Sequence, residues 1–114
     1  MDINNWLSNF NIYWQEHNIE SVISLFSDDI EYWESPFYVI RSKDLLKKEW
    51  QAILQQQKII IENNVYCSID NKHAITWKLS YVKDSKQYKL AGTYLITLNK
   101  DGICNYFYYV CQHE

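Results

Sequence analysis

The sequence predicts an α+β domain: three N-terminal helices packed against a strongly curved, mainly antiparallel sheet. Three observations carry this. Apolar residues recur at helical spacing over roughly the first half of the chain. From Lys58 onward the apolar period switches to two. Turn-type residues then cluster only between the period-two runs, the order expected of helices followed by a meandering sheet. A length of 114 residues supports one hydrophobic core, so residues 1–114 are read as a single domain.

Taken in order, Trp6, Phe10, Tyr13, Trp14 and His17 form one stripe of a first helix, with His17 at its C-terminal end as a capping residue. Asn18 is placed to cap a short second helix, with Glu20 near its positive end. That helix buries Ile19, Val22, Ile23 and Phe26, and Ser27-Asp28-Asp29 is expected to end it. Ile30 to Trp33 reads as a short strand stopped by Pro36. Ser42 is the N-cap of a third helix, with Asp44 in its first turn. Leu45, Leu46, Trp50, Ile53 and Leu54 are assigned to its buried side; Lys43, Lys47, Lys48 and Gln51 are assigned to water. Four strands follow, at about 58–69, 73–83, 86–99 and 103–113. Their turns are Asp70-Asn71, Lys83-Asp84-Ser85 and Asn99-Lys100-Asp101-Gly102.

Composition excludes several function classes. With only 2 Gly and 1 Pro there is no Gly-rich phosphate loop. The net charge is −3, and Arg41 is the only Arg among 11 basic residues, which argues against nucleic-acid binding. No apolar run is long enough to span a membrane, and the N-terminal residues lack the basic and apolar regions of a secretory signal. Cys67, Cys104 and Cys111 are odd in number and form no CxxC pair. They read as reduced thiols of a cytoplasmic protein, and as small strand hydrophobes rather than metal ligands. His17, His73 and His113 share no ligand spacing, so neither a metal nor a cofactor is expected.

Alternation in the strands separates two faces. Ile75, Trp77, Leu79 and Tyr81 point one way; Leu90, Gly92, Tyr94, Ile96 and Leu98 share a face in the next strand. The last strand is apolar on both sides, with Phe107, Tyr109 and Cys111 opposite Tyr106, Tyr108 and Val110. One side can meet the helices. The other needs a cover, so a homodimer through the sheet face is expected.

Helix, then NIESVISLFSDD, then a Trp-bearing helix, then four strands whose last hairpin carries LNKDG: this order resembles the NTF2-like superfamily, in its SnoaL-like and ketosteroid-isomerase-like branch. The resemblance covers nearly the whole chain and implies a cone, in which a bent sheet wraps a long helix around a deep, largely apolar pocket. The fold hosts enzymes, binding proteins and assembly modules alike, so activity does not transfer with it. Matched by the segment LFSDDIEYWES, Glu34 falls where the isomerases keep their carboxylate base. Their oxyanion-binding Tyr of the first helix corresponds to Phe10, which has no hydroxyl, and their second oxyanion donor corresponds to Tyr94.

These residues define a candidate site. Glu34 as a desolvated acid–base group and Tyr94 as an oxyanion donor are the candidate catalytic pair. Phe10, Trp14, Trp33, Trp50, Trp77, Phe107 and Tyr109 are the candidate ligand-binding rings, with Trp6 expected to converge on the same cavity. The expected ligand is small, mainly apolar, and cyclic or aromatic. Below roughly 300 Å³ such a cavity would hold little more than solvent. Two readings stay open: a pocket protein, with cofactor-free proton transfer through Glu34 as its candidate isomerase or cyclase chemistry, and a non-catalytic dimeric interaction module.

Overall fold

The computed structural model describes residues 2–114. Helix α1 spans Ile3–Gln15 and starts on Asp2, whose carboxylate accepts from the Asn4 N–H at 2.9 Å. It ends in a Schellman arrangement: the Asn18 N–H reaches the Tyr13 carbonyl, and His17 N–H reaches that of Trp14. His17 takes the left-handed conformation there (φ 57°), and its ring meets the Gln56 carbonyl at 2.6 Å. The expected capping role is thus a turn role joined to a tie across the core. Asn18 caps α2 (Ile19–Ile23) through the Ser21 N–H, as its side-chain chemistry requires.

The next segment departs from expectation. Ser27-Asp28-Asp29 does not end a helix; α2 stops at Ile23, and Phe26–Ser35 forms one strand, β1. The alternation of Phe26, Ile30 and Tyr32 toward the core decides it, because burying all three requires extended backbone here. After the turn at Pro36, Tyr38–Ile40 forms a short β2 that the sequence pattern did not reveal. Helix α3 (Lys43–Trp50) is capped by Ser42 and passes into a 3₁₀ turn at Gln51–Gln55. Leu46, Trp50 and Ile53 are buried, but Leu45 and Leu54 are each 49% exposed. A helix this short lays only one narrow stripe on the sheet, and the tighter 3₁₀ turn swings Leu54 off it.

The four long strands are β3 (Gln57–Ile69), β4 (Lys72–Lys83), β5 (Lys86–Leu98) and β6 (Cys104–His113). Asp84 and Ser85 both have positive φ, as a two-residue primed hairpin turn demands. The sheet runs β2-β1-β6-β5-β4-β3; every neighbouring pair is antiparallel except β1 with β6. Its inner face and the helices enclose a core in which Phe10 is ringed by Trp6, Trp14, Trp50, Tyr94 and Phe107, with centroids 5.0–6.0 Å away. At Gly92 the β6 backbone leaves no room for a side chain: a Cβ there would meet the Val110 carbonyl oxygen at 1.8 Å.

Candidate active site

The site is set by strand parity. On β1, Tyr32 and Glu34 point inward, beside the inward residues Phe107 and Tyr109 of β6. Tyr109 in turn is paired with Tyr94 of β5, and Gly92 pairs with both Trp77 of β4 and Cys111 of β6. These side chains, with Phe10, Trp14 and Trp50 from the helices, bound a hollow of about 220 Å³. Of the residues singled out in the sequence, Glu34, Tyr94, Phe10, Trp14, Trp50, Trp77, Phe107 and Tyr109 all come together on its wall.

Trp33 does not. It lies on the outer face of the sheet, its indole N–H donating to Glu31 at 2.9 Å and its ring beside Tyr108. The reason is elementary: neighbouring residues in a strand face opposite ways, so Trp33 cannot share a face with Glu34. The residue that takes its place is Tyr32, 4% exposed and stacked on Phe107 at 4.8 Å. The same alternation rule would have found it. Trp6 is also outside the hollow. It is buried in the core, with its N–H donating to the Leu25 carbonyl at 3.1 Å. Also on the wall, outside the candidate set, are Glu49, Gln56, Tyr81 and Cys111, with Ile53, Leu79 and Leu90.

The Tyr109 hydroxyl donates to Glu34 Oε1 at 2.7 Å. Burial pushes the Glu34 carboxyl above its ordinary value; that hydrogen bond pulls it partly back, and Glu49 raises it again. The Tyr94 phenol is pushed far up, chiefly by burial, so it stays protonated as a neutral donor. Tyr109 is pushed far up by burial and by the Glu34 charge. Trp77 stacks on Tyr94 at 5.2 Å, and its buried Nε1 has no hydrogen-bond partner among the described residues. An unpaired buried donor costs on the order of 1–3 kcal/mol. Trp14, by contrast, donates to Gln56 at 2.8 Å.

At about 220 Å³ the hollow falls below the roughly 300 Å³ expected above of a ligand cavity, because the rings fill most of the gap between sheet and helices; it has no room for a drug-sized molecule. Single-ring molecules are a different case, since an apolar cavity of about 150 Å³ suffices for benzene. A larger concavity of about 680 Å³ lies over β4, β5 and β6, lined by Lys78, Ser80, Lys89, Thr93, Val110 and Gln112 among others. It is broad and open, and no Trp, Tyr or Phe contributes to it. The candidate residues lie on the smaller hollow instead. Among the described residues no three or more His, Cys, Asp or Glu gather as a metal cage, and no helix is long and apolar enough to cross a membrane.

Helices on the concave face of a bent sheet, with a hollow between, define the NTF2-like fold. Solved structures bear this out. An NTF2-like protein of unknown function from Exiguobacterium sp. 255-15 superimposes with a TM-score of 0.78 at 19% identity, over 94% of this chain and 98% of its own. The epoxide hydrolase/cyclase-like enzyme SalBIII, associated with pyran ring formation in salinomycin, gives 0.83 at 9% identity, over 96% and 89%. An LEH-like epoxide hydrolase from Mycobacterium tuberculosis gives 0.74 at 11% identity, over 95% and 80%. No protein-family model matches the chain, and no curated protein does.

Proposed function

We propose that the chain is a small-molecule-binding protein whose hollow takes a mainly apolar, single-ring ligand, with Glu34 as the acid–base group of a cofactor-free proton transfer. One observation carries this reading: a desolvated carboxyl, held by the Tyr109 hydroxyl at 2.7 Å, on the wall of an aromatic hollow of about 220 Å³. A carboxyl raised by burial is a stronger base than an exposed one and is worth roughly 10²–10⁴ in rate when it meets an acidic C–H. Tyr94 supplies a neutral O–H for the oxyanion that forms as the proton leaves. The unpaired Trp77 N–H offers a second donor to a ligand oxygen. Two similar folds are named for epoxide hydrolase or cyclase activity, which accords with acid–base work on small rings.

The test uses cyclic ketones of one ring in heavy water. The native protein is expected to raise the melting temperature with at least one of them and to speed exchange of its α-protons, followed by NMR. Glu34→Gln is expected to lose about 10²–10⁴ of that rate. An unchanged rate removes Glu34 as base; absence of any thermal shift across the panel removes neutral cyclic ketones as its ligands and substrates.

A second reading, a dimeric interaction module, is favoured by the outer sheet face. Leu95 and Val110 are 42% and 46% exposed there, beside the half-buried Tyr106, Tyr108 and Trp33. Self-association through this face would cover it. Sedimentation at tens of micromolar is expected to give a dimer; a monomer rules the module out. The three free cysteines support a cytoplasmic location, to be tested by cell fractionation.

A further inference from the structure

The charge around the hollow is one-sided. Two acids, Glu34 and Glu49, reach its wall, and no Lys, Arg or His does. Neither acid is in an ion pair among the described residues: the pairs formed are Arg41 with Glu31, Lys43 with Asp28, and Lys47 with Glu20. Tyr109 occupies only Oε1 of Glu34. The two acids lie close enough for Glu49 to disfavour the charge on Glu34. Trp14, Trp50, Trp77 and Tyr81 line the same hollow.

Each feature selects for the same partner. Aromatic rings present a negative face that attracts an organic cation, most strongly where water is excluded. A partly desolvated carboxylate without a counter-ion gains most from an incoming positive charge. Two acids and no base repel an anion outright. A neutral ring satisfies the stacking and leaves the acids unpaired.

We infer that the ligand is a small organic cation, an amine or substituted ammonium borne on a single ring, with its positive head toward Glu34 and Glu49 and its ring among the indoles. This rests on the ligand-site reading above and names its chemical class. A single ring suits the volume, since the hollow of about 220 Å³ exceeds the roughly 150 Å³ that holds benzene.

Three probes of nearly equal shape test it at neutral pH: benzylamine, benzyl alcohol and benzoate, by calorimetry on the native chain. NMR of the Trp50 and Trp77 indole N–H signals locates the binding. Benzylamine is expected to bind about tenfold tighter than benzyl alcohol, with benzoate weakest. Glu49→Gln and Glu34→Gln are each expected to lower the amine-to-alcohol ratio about threefold to fivefold. Glu49 is exposed, so its replacement leaves folding intact. Alcohol binding as tight as the amine overturns the cation assignment and leaves the pocket standing. Failure of both amine and alcohol to bind overturns both. A ratio unmoved by either substitution, or amine shifts away from the two indoles, overturns the cation site alone.

Discussion

Glu34 and Tyr109 form the pair on which the proposed chemistry turns. Between the ordinary carboxyl value of 4.5 and its raised folded value, Glu34 holds a proton that the unfolded chain has already released. The folded state then binds more protons than the unfolded one, so stability falls as pH rises through that window. Glu34→Gln cannot ionise and is expected to flatten this part of the profile, measured by urea denaturation at stepped pH. Tyr109→Phe removes the hydrogen bond that pulls the carboxyl down, so Glu34 is expected to titrate higher still. A carboxyl-carbon NMR titration reads that directly; a downward movement contradicts it. Tyr94 and Cys111 also lie on this wall, and both are held up by burial, so neither ionises across the same range.

Strands, rather than helices, aim the site. Period-two patterning placed β3 to β6 to within about a residue, because one buried face forces strict alternation. It also placed Trp77, Tyr94, Phe107 and Tyr109 on that face, while helical spacing placed Phe10, Trp14 and Trp50 opposite them. Trp33 falls outside the site because it is next to Glu34 in an extended strand, whereas Tyr32, two residues before Glu34, shares its face. Gly92 is the element-scale weak point. Its neighbours Trp77 and Cys111 lie across from a glycine because β6 backbone comes too near for any side chain. Gly92→Ala must push β5 and β6 apart, and overpacking of this kind costs about 1–3 kcal/mol. A lowered urea midpoint with a displaced Tyr94 or Tyr109 NMR signal is expected; a native-like midpoint would show that the bend has slack.

For the whole molecule, the open question is the second face of the sheet. Tyr106, Tyr108, Val110 and Leu95 form one apolar surface across β5 and β6, with the broad concavity of about 680 Å³ beside it. If two copies meet there, Val110→Lys places two like charges near the contact and is expected to give monomers in sedimentation while leaving the melting curve of the monomer intact. Persistence of the dimer would move the contact elsewhere.

Local chemistry in the chain was enough for the α+β order, the caps at Asn18 and Ser42, the strands, and the inward set around Glu34, since periodicity and capping act over a few residues. Only the assembled structure decided the rest: that β1 begins at Phe26, that β2 exists, that Glu49 joins the wall, and that the hollow is only about 220 Å³. Those outcomes depend on how far a bent sheet closes on its helices and how completely the rings fill the gap. That volume is a small difference between large packed bodies, and no local pattern records it.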